Sequence, residues 1–181
     1  MIRAALEEFD SLLNQHGKDH APTEHEWQRS FDENPFILGR AVSLTLDGLF
    51  PQVRLTSGRV DYLFHKTASS PFFSTTGFIE LKRPDHSILD VYNSGNQVVP
   101  ARHLSRAYSQ ACGYLKDIEN AVLVHNGVTL SCGNNRLVFI IIGTTDELMR
   151  KLHDEMVGLF ENLLPPGFQV ITYDQGWFPA L

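Results

Sequence analysis

An acid and an amine two residues apart on one predicted strand are the residues of this chain best suited to chemistry. Residues 77–84 read GFIELKRP, an apolar run that contains Glu80 and Lys82 and ends at a proline. Successive side chains of a strand point to opposite faces, so this acid and this amine share one face. A carboxylate beside an ammonium on a rigid strand can serve a hard cation and a phosphate together.

A second acid lies in the apolar segment before it. Residues 58–64 read GRVDYLF, which predicts a strand with the single acid Asp61. If the two strands are neighbours, Asp61 joins Glu80 and Lys82 in a metal-dependent phosphodiesterase site. Mg²⁺ suits this set because it takes one or two protein carboxylates and keeps positions for water and phosphate oxygens. The alternative is a solvent-exposed strand in which Glu80 and Lys82 form a surface ion pair. The apolar residues around them argue against an exposed strand.

The start of a helix offers a further carboxylate. Thr23 reads as an N-cap and Glu26 as its capping-box partner, with the helix running to about residue 33 and closed by Asn34-Pro35. Glu24 lies three residues before Trp27, on the apolar face, whereas Glu26 points away from it. Glu24 is therefore the predicted helix acid of the site. The alternative for either acid is a solvated side chain that favours the helix dipole.

A later helix, predicted over residues 102–120, carries polar and basic side chains that suit phosphate binding. Gln110 and Tyr114 are four residues apart and therefore on one face, with Arg106 one turn earlier. Gln110 is a candidate for positioning the phosphate or the attacking water. The alternative is a half-buried tyrosine beside a solvated polar stripe. The predicted DNA contacts are Arg102, His103, Arg106 and Tyr114.

The remaining patterns predict an α/β domain. Apolar periodicity indicates a first helix to about residue 15 and another from Thr144 or Thr145 to about residue 163. Residues 85–99 read as an irregular loop, and residues 137–142 as a central strand buried on both faces. Further strands are predicted at residues 41–46, 52–55, 60–64 and 168–173. We expect one domain over residues 1–181, with a helix and loop at 1–20 and the core at 23–174.

Composition limits the classes of protein to consider. The length of 181 residues suits one domain with its own core, and a net charge of −6 argues against a general nucleic-acid coat protein. A nuclease remains compatible, because metal-binding carboxylates contribute negative charge. Cys112 and Cys132 are too few for a disulfide framework or a zinc site. With no bilayer-spanning run and no signal-peptide pattern, we expect a cytoplasmic protein without a membrane partner.

Five segments carry a resemblance to a known family. Asp61, eighteen intervening residues and Glu80-Leu81-Lys82 resemble the PD-(D/E)xK nuclease signature, with Val60 in place of its proline. Residues 110–114, QACGY, resemble the QxxxY helix motif of that superfamily. More narrowly, the chain is similar from about residue 23 to 174 to the nuclease domain of Shedu anti-phage defence proteins. The segments that carry this likeness are residues 27–38, 60–63, 79–84, 109–114 and 171–174.

The resemblance implies a fold, an activity and partners. It implies a restriction-endonuclease-like α/β core, with a central mixed β-sheet flanked by helices on both faces. It implies a Mg²⁺-dependent DNA endonuclease, with Mn²⁺ able to substitute, that nicks or cuts phage or foreign DNA and often forms a homo-oligomer. By resemblance, Asp61 and Glu80 are metal ligands, Lys82 is the catalytic lysine, Gln110 assists, and a helix acid such as Glu24 is an auxiliary ligand.

Two other classes stay open on the sequence. One is a DNA-binding or regulatory module on a nuclease-like fold that does not cut. The joint presence of Asp61, Glu80 and Lys82 argues against it. The other is a hydrolase that uses histidines as metal ligands, for which His65, His86 and His125 show no ligand spacing.

Overall fold

The chain forms a sheet with helices on both faces. The computed structural model describes residues 2–15, 21–42, 48–66, 75–92, 97–119, 123–125, 128–130, 135–151 and 164–174. The helices are α1 Ile2–Asn14, α2 Glu24–Glu33, α3 Pro35–Ala41, α4 Arg102–Glu119 and α5 Thr145–Lys151. The strands are β1 Gly48–Arg54, β2 Arg59–Lys66, β3 Thr75–Leu81, β4 Leu89–Tyr92, β5 Gln97–Pro100, β6 Leu123–His125, β7 Val128–Leu130, β8 Asn135–Ile141 and β9 Phe168–Ile171.

The main sheet is mixed and has the strand order β1-β2-β3-β8-β9. The first three strands form an antiparallel meander, and β3–β8 and β8–β9 pair in parallel. A parallel pair needs a long crossover, and α4 lies in the chain between β3 and β8. The predicted central strand at residues 137–142 is thus β8, beside the central strand β3. The shorter pairs β4–β5 and β6–β7 form separate two-stranded sheets.

Side chains on the two faces of the sheet pack in two separate clusters. Phe78 and Ile140 pack with Leu104 and other residues of α4 on one face. Ile79 and Phe139 pack with residues of α1, α2 and α3 on the other. Strand alternation explains this division, because neighbouring residues of a strand face opposite layers. The prediction of a mixed α/β fold with a central mixed sheet flanked by helices is confirmed.

The predicted start of α2 is confirmed in detail. Glu26 N donates to Thr23 Oγ1 at 3.3 Å, and Thr23 N donates to Glu26 Oε2 at 2.7 Å, which closes the capping box. The helix buries Trp27 and Phe31 as expected. Trp27 lies 4.7 Å from the Tyr173 ring, centroid to centroid, so α2 is anchored by aromatic packing over the sheet.

The strand predicted at residues 41–46 is wrong where the structure describes it. Residues 35–41 form the helix α3, with Pro35 in its first turn and Ile37 and Leu38 buried. Proline is favoured at the first helical position because the missing N–H would have no partner there. Asn34-Pro35 therefore ends one helix and begins the next. Residues 43–47 lie outside the described residues, as do residues 152–163, over which the sequence predicts the rest of the last helix.

The irregular loop predicted at residues 85–99 contains part of a hairpin instead. β4 and β5 pair from Leu89↔Pro100 to Tyr92↔Gln97. Each strand has only four residues, too few for a clear alternation pattern, and the Asp, Asn and Ser content suggested a loop. Cys132 lies outside the described residues, and Cys112 is a free thiol. Within the described part of the chain, every helix is too short or too polar to cross a membrane.

Candidate active site

Asp61 stands where the pairing between β2 and β3 ends. The last paired residues of this ladder are Tyr62 and Ile79. Beyond them, Leu81 N donates to Asp61 Oδ2 at 2.8 Å, so a side-chain carboxylate takes the place of a strand carbonyl. The carboxylate is held next to the backbone of β3, one residue from Glu80.

Glu80 is a buried carboxylate with one oxygen left over. Its side chain is 4% exposed, and Oε1 accepts from Lys82 Nζ at 2.7 Å. Oε2 is buried and has no hydrogen-bond partner in the described structure. Burial raises the pKa of Glu80 to about 7, the charge of Asp61 adds to the rise, and Lys82 opposes it. A buried, unpartnered carboxylate oxygen is a position that a cation would satisfy.

The donor set fits a hard cation that keeps much of its water. Burial also raises the pKa of Asp61, against the Leu81 hydrogen bond and the charge of Lys82, so the two acids remain costly to keep charged with Lys82 as their neighbouring cation. Across the described ranges, no three His, Cys, Asp or Glu side chains surround a common point closely enough to hold a metal. Two carboxylates with water completing the shell are typical of Mg²⁺.

Lys82 carries its proton at neutral pH. Burial acts to lower the pKa of Lys82, but the charge and hydrogen bond of Glu80, with Glu24 and Asp61, raise it on balance. Lys82 Nζ lies 3.6 Å from Glu24 Oε1 as well as against Glu80. The ammonium therefore bridges the end of β3 and the start of α2.

The structure distinguishes the two acids of the first turn of α2. Glu24 reaches the lysine with a side chain that is 52% exposed. Glu26 is held in the capping box, where two hydrogen bonds from Thr23 lower its pKa. Of the two, Glu24 is the acid that lies beside Lys82, and its role as an auxiliary metal ligand stays a prediction.

A cleft of about 700 Å³ opens beside Lys82. We call it the α4 cleft, because most of its lining comes from the first turns of that helix. It brings together six of the residues predicted from the sequence, at positions far apart in the chain. These are Glu24, Lys82, Arg102, His103, Arg106 and Gln110. Ser105, Ser109 and His86 also line it and were not predicted as site residues.

Tyr114 is the predicted DNA contact that the structure does not bring to the α4 cleft. It is 2% exposed, its ring packs edge-on against Phe78, and its hydroxyl donates to Arg59 O at 3.0 Å. Its burial, with the charges of Glu80 and Asp61, raises its pKa to about 12. The four-residue spacing predicted that Gln110 and Tyr114 share one face of α4. Gln110 is exposed there, whereas Tyr114, one turn later, is buried in the core.

Gln52 is a neighbour of the site that the sequence did not reveal. Its Nε2 donates to Asp61 Oδ1 at 3.3 Å. It lies between the pairs Pro51↔Tyr62 and Val53↔Val60, opposite Asp61, with a φ of 54°. No other described non-glycine residue has a positive φ. Such strain tends to be kept at functional positions.

His86 stacks on a predicted DNA contact. Its ring lies 3.6 Å from that of His103, nearly parallel at 13°. Burial and the neighbouring imidazole lower the pKa of His86. Face-to-face stacking does not direct ring nitrogens of both residues at a common point, so the pair lacks the arrangement of metal ligands.

These features define a mixed α/β domain in which the buried Glu80, the half-buried Asp61 and a lysine lie beside a basic cleft. Residues 21–175 match the family described as Shedu protein SduA, C-terminal. The chain belongs to this family, and the predicted relationship to Shedu proteins is confirmed. None of the curated proteins compared with the chain matches it.

Proposed function

We propose that this chain is a metal-dependent DNA endonuclease domain of the PD-(D/E)xK type, with a restriction-endonuclease-like core. The observation that carries the proposal is the buried Glu80, whose Oε2 has no partner in the described structure, held between Asp61 and Lys82. A surface ion pair needs no such burial. Two desolvated carboxylates become favourable once a divalent cation neutralises them.

Asp61 and Glu80 would hold Mg²⁺ or Mn²⁺, with Glu24 as an auxiliary acid. When bound, the cation neutralises phosphate charge and lowers the pKa of a coordinated water. Asp61 is positioned by Leu81 N and Gln52 Nε2, so its orientation does not depend on the ion.

Lys82 and the residues of α4 supply the rest of the chemistry. In the metal-free chain the neighbouring acids raise the pKa of Lys82, which favours stabilisation of the negative charge that develops on the phosphate over removal of a proton from water. Gln110 lines the α4 cleft and can orient the phosphate or the attacking water. Arg102 and Arg106 line the same cleft and would bind the DNA backbone.

The second candidate function is a DNA-binding or regulatory module that does not cut. The arginines of the α4 cleft favour it as much as they favour the nuclease, because phosphate binding needs no metal. The buried Glu80 beside the half-buried Asp61 favours the nuclease, since a binding module has no use for a desolvated carboxylate there.

Cleavage assays separate the two functions. Supercoiled, nicked, linear and single-stranded DNA would each be incubated with Mg²⁺ or Mn²⁺ and the wild type, Lys82→Ala or Lys66→Ala. Lys66 is the matched control because it is half-buried at the far end of the β2–β3 ladder, opposite Thr75. We expect cleavage by the wild type and Lys66→Ala and its loss in Lys82→Ala. Absence of metal-dependent cleavage on every DNA form would reject the nuclease.

The biological setting we propose is defence against phage, by cutting phage or other foreign DNA as a homo-oligomer. Membership of the Shedu family supports this setting. Phage should form fewer plaques on cells that express the wild-type protein than on cells that express Lys82→Ala. Light scattering on the purified protein measures the oligomer.

A further inference from the structure

Two arginines face each other at the tip of the β1–β2 hairpin. Arg54 and Arg59 are the last paired residues of these antiparallel strands, and both are exposed. Neither makes an ion pair with any residue that the structure describes. Like charges directly opposite each other destabilise a hairpin, so stability does not explain this pair.

The hairpin tip, residues 54–59, is tied to α4 by hydrogen bonds. Ser57 N and Oγ both donate to Asp117 Oδ2, at 2.6 and 2.7 Å. Tyr114 donates to the carbonyl of Arg59 at 3.0 Å. Gly58 has a φ of 156° and lies so close to the Tyr114 ring that a Cβ would be 3.3 Å from it. The two guanidinium groups therefore project from a preorganised base, which lowers the entropy cost of binding.

The hairpin tip adjoins the candidate active site. Arg54, Arg59 and Gln52 line one cleft of about 600 Å³. Gln52 donates from there to Asp61. The α4 cleft reaches the same carboxylates through Lys82, and the two clefts share no lining residue among those described. A nucleic-acid backbone with one phosphate at the proposed metal site could thus extend into both clefts.

We propose that Arg54 and Arg59 form a second phosphate-binding site, which holds the nucleic-acid backbone beside the phosphate being cut. This inference rests on the proposed function. Guanidinium groups match phosphate oxygens with two parallel hydrogen bonds, which suits this pair to a phosphodiester backbone. The Asp117 carboxylate contacts the hairpin tip, but it accepts its hydrogen bonds from Ser57 rather than from either arginine.

The test is the salt dependence of binding in chelator-containing buffer, where the proposed reaction does not run. Fluorescence anisotropy of a labelled DNA duplex would be measured for the wild type, Arg54→Gln, Arg59→Gln and Arg40→Gln. Arg40 is the matched control because it is exposed on α3, across the sheet from α4. Each hairpin substitution should weaken binding about tenfold at low salt. It should also reduce the log–log salt slope by about 0.9, while Arg40→Gln changes neither.

Three results would overturn the proposal. They are unchanged affinity in both hairpin variants, an equal loss in Arg40→Gln, or a loss that leaves the salt slope unaltered. Arg54→Lys and Arg59→Lys keep the charge and should retain the slope, so they test the site even if the glutamine variants fold poorly.

The outcome is distinguishable from that of the nuclease proposal. Arginine-dependent binding by a wild type that never cleaves DNA supports the hairpin site and rejects the nuclease. Cleavage by a protein whose binding ignores both arginines supports the nuclease and rejects the hairpin site. In that case an acidic protein is the better partner for the hairpin tip.

Discussion

Lys82 Nζ lies 2.7 Å from Glu80 Oε1, while the other oxygen of Glu80 is buried without a partner in the described structure. The carboxylate therefore uses one oxygen for the lysine and has the second available for a cation. The proposed metal would therefore take the oxygen that the ion pair does not use. The arrangement also explains why the pKa values of Lys82 and Glu80 are both raised. Desolvation disfavours the charged form of each group, but the charges of Glu80 and Glu24 outweigh it at the lysine.

The pH dependence of stability should report the buried acid. The pKa of Glu80 rises from 4.5 to about 7 in the folded state, so the folded chain binds more protons than the unfolded chain between these values. By linkage, the contribution of Glu80 to metal-free stability is fully present below about pH 4.5 and is lost as pH rises to about 7, by on the order of 3 kcal/mol. Glu80→Gln should flatten that fall in urea unfolding experiments with chelator. The exposed Glu8→Gln should keep it, and a wild type with no fall would contradict the burial argument.

The two acids of α2 should have different roles in solution. Glu24→Ala should weaken Mg²⁺ binding and DNA cleavage with little change in Tm, because its carboxylate faces Lys82 rather than a cap. Glu26→Ala should lower Tm and leave cleavage per folded molecule intact, because it removes half of the capping box. Calorimetric metal titration and thermal melting measure both effects. Equal loss of metal affinity in the two variants would refute the assignment.

Tyr114 should behave as a core residue rather than a DNA contact. Tyr114→Phe removes the hydrogen bond to Arg59 O and should cost about 1 kcal/mol of unfolding free energy. Its effect on duplex affinity should be much smaller than that of Arg106→Gln, whose side chain lines the α4 cleft. Urea unfolding measures the stability of the two variants, and fluorescence anisotropy measures their affinity for duplex DNA. An affinity loss equal to that of Arg106→Gln at unchanged stability would restore Tyr114 as a contact.

Gln52 should show a trade between stability and function. Gln52→Gly accommodates the φ of 54° without strain but loses the hydrogen bond to Asp61. Gln52→Ala loses the same bond and keeps the strain. We expect the glycine variant to be more stable than the alanine variant by about 1 kcal/mol, with metal affinity reduced to the same extent in both. Wild-type metal affinity in the alanine variant would show that Gln52 does not position Asp61.

Several features follow from the sequence alone because they are local. Alternation along β3 places Glu80 and Lys82 on one side, and Thr23 with Glu26 marks the start of α2. Apolar periodicity predicts α4 to within a residue, from Arg102 to Glu119. Each depends on backbone repeats or on hydrogen bonds within one turn, so the order of residues is sufficient. The match to the Shedu family likewise follows from residues in sequence.

Only the tertiary structure decides which distant residues meet. The register of β2 against β3 brings Asp61 to Leu81, and the packing of α2 on the sheet brings Glu24 to Lys82. The packing of α4 on the other face covers Tyr114 with the hairpin tip, and the register of β1 against β2 places Gln52 beside Asp61. These contacts join residues separated by many positions, and their geometry depends on how whole strands and helices pack. Spacing along the chain therefore predicts the chemical groups of the site but not the neighbours that bury, hold or expose them.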